Sequence, residues 1–396
     1  MKWVKNQFYS PEYNPDELDH FADETIESVL KFQKTHPLYS NTPLISLKRL
    51  ADYLNVAEIR VKDESKRFGL NAFKVMGGIY AIGKYLADRL GRDIGSLSFE
   101  ELQSPQVKEQ LGELTFISAT DGNHGRGVAW AARELGQKSV IYMPKGSSLQ
   151  RLQAIRNEGA HADITEVNYD ATVRMCAELA EENGWIMVQD TAWDGYDEIP
   201  LWIMQGYGAL AQEMIEELEE PPTHLFLQAG VGSFPAAIAA YFQQHYKDNA
   251  PKIIVVEPEL ADCFYRSFAS TDGTMEIVTG DMNTIMAGLA CGEPNPRAYR
   301  ILRQYAHASF SCHDSIAALG MRVLGNPLGD DVKIVSGESG AAPIGLVFHL
   351  LSGGNKDACR DIQLDADSRI LVISTEGDTD RQHYLDVVWK GLYPST

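Results

Sequence analysis

The sequence predicts an α/β fold in which parallel sheets are covered on both faces by helices. Three observations carry this. A short apolar run, a Gly or Asx turn and an amphipathic stretch with helical spacing recur in that order along the chain. The hydrophobic fraction is 44% and the charged fraction 23%, enough to bury sizeable cores and too balanced for a disordered, collagen-like or coiled-coil chain. At about 150 residues per domain, 396 residues make two to three domains. No repeat and no Gly/Ser/Pro linker separates them, so the domains are expected to be discontinuous.

The elements follow in order. Residues 58–62 read as a strand and 75–90 as a helix. Strand 114–119 precedes helix 124–135, strand 139–143 precedes helix 149–158, and 162–167, 171–182 and 185–188 continue the alternation. Helix 199–218 ends in the acidic segment 216–222, whose prolines return the chain to strand 224–228. Helix 235–246, strand 253–257, helix 341–351, strand 370–374 and a helix near 382–389 complete the pattern. The polar stretch 91–112 is expected to be a loop insertion, and the first 40 or so residues show no assignable pattern.

Lys and Arg number 35 and Asp and Glu 55, a formal charge of −20. Such a surface repels phosphate backbones, so nucleic-acid binding is not expected, and an anionic cofactor must be held by backbone amides and helix dipoles. The five cysteines, Cys176, Cys263, Cys291, Cys312 and Cys359, are odd in number and widely spaced, as in a reduced cytoplasmic protein. No stretch reaches the ~18 apolar residues of a membrane span, and the N-terminus lacks a signal-peptide core. The ten histidines show no metal-ligand spacing, and no zinc-protease, Walker, EF-hand or nucleophile-elbow motif occurs; no metal site is expected.

Four turns carry chemistry. Lys74 opens helix 75–90 within Asn71-Ala72-Phe73-Lys74, ahead of Gly77-Gly78. A lone lysine is ordinarily solvated. Flanked by Phe73 and Val75-Met76 at a helix N-terminus, this one is expected to be partly neutral, because burial and the dipole both disfavour the ammonium form. Such an amine suits Schiff-base chemistry. The second turn, Ser118-Ala119-Thr120-Asp121-Gly122-Asn123-His124-Gly125-Arg126-Gly127, joins a strand to a helix, where open parallel sheets bind ligands. It is not a dinucleotide fingerprint; the plain alternative is a Gly-rich turn with Asn123 as N-cap. The third, Gln228-Ala229-Gly230-Val231-Gly232-Ser233-Phe234-Pro235, has more glycine than a connection needs. Ser233 is placed to cap and Pro235 to enter the first helical turn, and the converging amides make a phosphate cradle. The fourth, 373–380, puts Ser374 or Thr375 at a strand's carboxyl end, where a hydroxyl can meet a ring nitrogen; Asp378 or Thr379 can instead cap the next helix.

Together the four segments resemble the fold-type II pyridoxal-phosphate (PLP) enzymes, the tryptophan synthase β-like group, over most of the chain. The stretches Lys62–Lys74, Thr120–Gly127, Val188–Trp193, Met286–Glu293, Ser336–Gly340 and Ser374–Asp380 are similar to the diaminopropionate ammonia-lyase family, and this likeness runs from about Pro43 to Trp389. It implies two open parallel-sheet α/β domains with the site between them: a large PLP-binding domain of residues 1–75 and 194–396, and a small mobile domain of 76–193. By the same resemblance Lys74 would carry PLP as a Schiff base and Asn123 would bond its 3-hydroxyl oxygen. Gly230, Val231, Gly232, Ser233 and Phe234 would hold its phosphate, Ser374 or Thr375 would face its pyridine nitrogen, and Glu338 would lie near the ring.

Asp121 stands where serine and threonine dehydratases of this fold carry serine, and the ammonia-lyase family has an acid there. With Asp190 it would make two α-proton bases, Asp121 for D- and Asp190 for L-2,3-diaminopropionate. Enantiomers present the α-hydrogen to opposite faces, so one base cannot reach both. The implied reaction is α,β-elimination to pyruvate and two ammonia by a cytoplasmic homodimer acting on a small amino acid. A serine or threonine dehydratase, or a non-catalytic PLP-binding protein on the same scaffold, are the alternatives.

Overall fold

The computed structural model describes residues 1–394. Its strands, in chain order, are β1 Lys2–Lys5, β2 Leu44–Ser46, β3 Glu58–Asp63, β4 Thr115–Ala119, β5 Lys138–Met143, β6 His161–Ile164, β7 Ile186–Met187, β8 His224–Gln228, β9 Lys252–Pro258, β10 Ala306–Cys312 and β11 Arg369–Ser374. The chain forms two compact units. The first comprises Met1–Ala22, Thr42–Lys66 and the chain from Glu213 onward; the second comprises Asp23–Asn41 and Arg67–Gln212.

This division differs from the expected one at both junctions. The Asp23–Lys34 helix, unread in the sequence, belongs with the second unit because its inner face packs there. Buried Gln33 donates to the carbonyls of Met76 (2.9 Å) and Gly206 (3.3 Å), and a Cβ on Gly208 would lie 2.6 Å from Ile26. Those contacts also hold Lys74 and residues up to Gln212 in this unit.

In the first unit seven strands run in the order β1-β10-β9-β8-β11-β3-β2. The pairs from β10 through β3 are parallel, and antiparallel β1 and β2 close the two edges. The inner strands are apolar because both faces are covered: Phe226, Ile254, Val256, Ile370 and Val372 share one core with Ala342 and Leu346. Strand β10 escaped sequence reading for a chemical reason. Its serines look solvent-facing, yet Ser309 and Ser311 are buried and donate to Glu257 (2.7 Å) and Asp262 (2.8 Å).

In the second unit four parallel strands run β6-β5-β4-β7 around Ile117, Ala119, Val140, Val173, Cys176 and Met187. The 91–112 stretch is not the expected loop. It holds helices Phe99–Leu102 and Pro105–Leu111, the first started by a Ser98/Glu101 capping box and the second by Ser104 with Pro105 behind it. The caps start the helices, and Phe99, Leu102 and Val107, few among polar neighbours, are buried beneath them.

The contact that places Lys74 is between the Val75–Arg89 and Asn123–Glu134 helices. A Cβ on Gly127 would lie 2.9 Å from both N and Cα of Val75, and one on Gly78 would lie 3.2 Å from the Gly127 carbonyl. The backbones meet because neither residue has a side chain. Gly127→Ala should therefore destabilise the protein by roughly 1–3 kcal/mol through overpacking, seen as a lowered Tm; an unchanged Tm would show that the helices have room to separate.

Candidate active site

The second unit brings Lys74, Asp121, Asn123 and Asp190 onto two strand ends and two helix starts. Beyond β4, the Thr120 hydroxyl accepts the amides of Gly122 and Gly125, each at 2.9 Å. This folds the turn and starts the Asn123–Glu134 helix. Its N-cap is Gly122, which has no side chain to cap with, so Asn123 is the first helical residue and not the N-cap of the plain alternative, and Thr120 serves the Gly125 amide instead. Beyond β7, Gln189 is fully buried and ties the two strand ends together. Its Oε1 accepts from Ser118 Oγ (3.0 Å) and Ala119 N (3.1 Å), and its Nε2 donates to Tyr169 Oη (2.8 Å). Its amide donates to Tyr196 Oη (2.8 Å), which in turn donates to the Met187 carbonyl (3.0 Å). Asp121 and Asp190 are thus held on adjacent strands of one frame.

Lys74 is the N-cap residue of the Val75–Arg89 helix, and its ammonium donates to Asp190 Oδ2. Asp190 is only 3% exposed. Burial pulls the Lys74 amine down, but the carboxylate of Asp190, reinforced by Tyr207 and Asp121, outweighs it and raises the amine above the usual lysine range. Burial likewise pushes Asp190 up, and Lys74 and His124 override it and hold the carboxyl low. The expected partly neutral lysine is therefore not found in the protein without cofactor: an adjacent carboxylate beats dipole and desolvation together. His124 packs alongside, its Nε2 donating to the Val188 carbonyl (2.9 Å) and its Nδ1 4.0 Å from Asp190 Oδ2; burial pulls its pKa down and the Asp190 carboxylate pulls against it. Asp121 faces Arg151, with Nη1 3.7 Å from Oδ2.

The first unit carries the remaining residues. Gly230–Phe234 leave β8 and enter the Ser233–Tyr246 helix, whose N-cap is Gly232 in the left-handed region at φ 92°. A Cβ there would lie 2.3 Å from Phe264, so both the conformation and the space require glycine. Ser233 does not cap; it accepts from Asn295 Nδ2 (3.0 Å), and Pro235 lies in the first turn as expected. A glycine-lined turn leading amides into the positive end of a long helix fits a phosphate group. Beside it in the sheet, β11 ends at Ser374, whose hydroxyl lies 2.8 Å from Ser336 Oγ. Thr375 Oγ1 accepts from Gln228 Nε2 (2.8 Å). Gln228 Oε1 and Ser339 Oγ are buried without a protein hydrogen-bond partner, polar atoms suited to a polar ligand. Glu338 opens the Glu338–His349 helix and bonds His383 Nδ1, which it keeps more basic than usual. The helix at Arg381–Val388 is capped by Asp380, not by Asp378 or Thr379.

Sequence reasoning missed Thr120, Gln189, Arg151, Tyr207 and His383. Thr120 and Gln189 adjoin the two aspartates at strand ends, a usable signal; Arg151, Tyr207 and His383 lie far along the chain from the groups they touch and leave none. Among the described residues no group of three His, Cys, Asp or Glu is placed to hold a metal, and no helix is long and apolar enough to cross a membrane.

Comparison with known proteins adds three findings. Residues 35–376 match the family described as pyridoxal-phosphate dependent enzyme. The chain is 53% identical to a diaminopropionate ammonia-lyase of Salmonella typhimurium, covering 92% of this chain and 91% of that one, and 50% identical to that of Escherichia coli K12, covering 98% and 96%. It superposes with a TM-score of 0.90, at 47% identity and 99% and 97% coverage, on a crystal structure of the Escherichia coli diaminopropionate ammonia-lyase in complex with an aminoacrylate–PLP azomethine reaction intermediate.

The buried pair makes a stability prediction for the protein without cofactor. Asp190→Asn leaves the Lys74 charge without its counter-ion and should cost about 3–5 kcal/mol at pH 7. The contribution of Asp190, whose carboxyl is depressed, is fully present above the ordinary aspartate value of 3.8 and lost as pH falls through its lowered value. That of Lys74, whose amine is raised, is present below 10.5 and lost only at higher pH. Denaturant unfolding of both proteins between pH 3 and 10 (roughly the window these shifts define) measures it; equal stability at pH 7 would contradict the pairing.

Proposed function

The chain belongs to the pyridoxal-phosphate-dependent enzymes and, within them, to the diaminopropionate ammonia-lyases, and from this premise we propose that it converts D- and L-2,3-diaminopropionate and water to pyruvate and two ammonia. The observation that carries this reading is identity of 50–53% over nearly the whole chain to enzymes of that name. The acid Asp121 supports it over a serine or threonine dehydratase. PLP is the cofactor, and when bound it supplies the electron sink that stabilises the charge left on Cα as its proton departs.

The chain's own residues do the rest. Lys74 would hold the cofactor through Nζ, Gly230–Phe234 would hold its phosphate, and Asn123, Glu338 and Ser374 or Thr375 would set its ring. With Lys74 Nζ engaged in holding the cofactor, Asp190 would be without its charged partner and its Oδ2 would be available as a base. Asp190 then takes the α-proton of the L-isomer and Asp121 that of the D-isomer. The β-amine leaves only if protonated, because amide ion is a prohibitive leaving group; Lys74, a neutral amine once displaced, would receive the α-proton from the carboxylate that took it and hand it to the leaving nitrogen. The released enamine hydrolyses in water to pyruvate and the second ammonia. We take the unit holding Gly230–Phe234 as the large PLP-binding domain and the other as the small one. We take the enzyme to be a homodimer on kinship, and cytoplasmic because five widely spaced cysteines, an odd number, suit a reducing compartment.

Lys74→Ala should abolish turnover of both isomers. Asp121→Asn should lose roughly 10²–10⁴-fold on the D-isomer and Asp190→Asn as much on the L-isomer, the usual worth of a positioned base. Pyruvate release measures both; equal loss on both isomers in both variants would sink the two-base assignment.

A further inference from the structure

Asp121 and Asp190 each face a cation, but the two pairings differ in kind. Asp190 is hydrogen-bonded to Lys74, a group that the proposed chemistry draws away. Asp121 faces Arg151, which no step uses. Arg151 lies on the Leu149–Asn157 helix with its side chain only 12% exposed. Its stem runs along Gly122, the residue after Asp121: a Cβ there would lie 2.9 Å from Arg151 Cδ and 3.4 Å from its Cβ and Cγ. The guanidinium is thereby fixed beside the turn. At 3.7 Å it is too far from Asp121 Oδ2 to spend that oxygen in a hydrogen bond, and Oδ2 is buried with no hydrogen-bond donor on it. A carboxylate oxygen held by a fixed charge, yet left unbonded, is poised to accept a proton. The other charged groups acting at Asp121 are Lys74 and, if protonated, His124, and both also serve Asp190.

We propose that Arg151 is the positioning residue of Asp121 and sets turnover of the D-isomer alone. The inference rests on the two-base reading above. It assigns no contact between Arg151 and substrate: the guanidinium acts through the carboxylate, holding it ionised and aimed while Gly122 lets the stem lie close.

The test uses the holoenzyme with D- and L-2,3-diaminopropionate, in the wild type, Arg151→Met and Arg151→Lys, with pyruvate as readout and the visible absorbance of bound cofactor as the check on folding. In Arg151→Met, kcat on the D-isomer should fall at least about tenfold, as a misplaced base would, with little change in KM, while the L-isomer rate stays within about twofold of wild type. Arg151→Lys restores the charge without the fork and should recover part of the D rate. Equal loss on both isomers would make Arg151 a structural residue, and a rise in KM for both would make it a substrate-carboxylate ligand; either overturns the proposal while leaving the diaminopropionate reading intact. Failure of the wild type to release pyruvate from either isomer overturns both.

Discussion

The buried pair of Lys74 and Asp190 is the interaction around which the second unit is organised. An ammonium and a carboxylate this far from water need each other, because breaking such a pair strands a charge. Their meeting is set by backbone geometry. Gly127 lets the Lys74–Val75 backbone rest on the Asn123–Glu134 helix. Gln189, fully buried, locks the strand end from which Asp190 projects to the strand end that precedes Asp121. In the roles proposed for them the pairing matters twice: a lysine kept protonated by a carboxylate is not a free nucleophile, and a carboxylate bonded to a lysine is not a free base.

The candidate site residues of each unit share a second constraint, the polarity of that unit's own parallel sheet. Asp121 and Asp190 follow β4 and β7, and the glycine turn and Ser374 follow or end β8 and β11. In such sheets the carboxyl ends of strands and the amino ends of helices lie on the same side. Backbone donors and positive dipole ends therefore gather there without any lysine or arginine cluster, which is how a chain of net charge −20 can hold an anionic cofactor.

Most of the alternation was legible because parallel strands buried on both faces are short uniform apolar runs, as at Leu225–Leu227 and Ile253–Val256. Strand β10 was not, since its serines are made apolar in effect by bonds to Glu257 and Asp262, partners distant in sequence. The N-terminal helix was missed although Ile26, Val29 and Leu30 recur at helical spacing with acids in its first turn and lysines in its last; what the chain does not announce locally is where Gln33 docks, on the carbonyls of Met76 and Gly206. The four turns were legible because glycine and Asx at strand ends have few other uses. The charge state of Lys74 was not, as a dipole and a flanking phenylalanine can be read from neighbours in the chain while Asp190, 116 residues on, cannot. Arg151 was invisible for the same reason: its place beside Asp121 depends on a stem lying over Gly122.

The central claim is that this chain eliminates the β-amine of 2,3-diaminopropionate in either configuration. The most direct measurement is the rate of pyruvate release by the wild-type holoenzyme from the D- and L-isomers, with L-serine and L-threonine compared through their own 2-oxo acids under the same conditions. The account predicts turnover of both diaminopropionate isomers with kcat/KM above those for serine and threonine. A higher kcat/KM for serine or threonine would contradict it, and would leave Lys74 and the phosphate turn in a dehydratase for which Asp121 needs a different explanation.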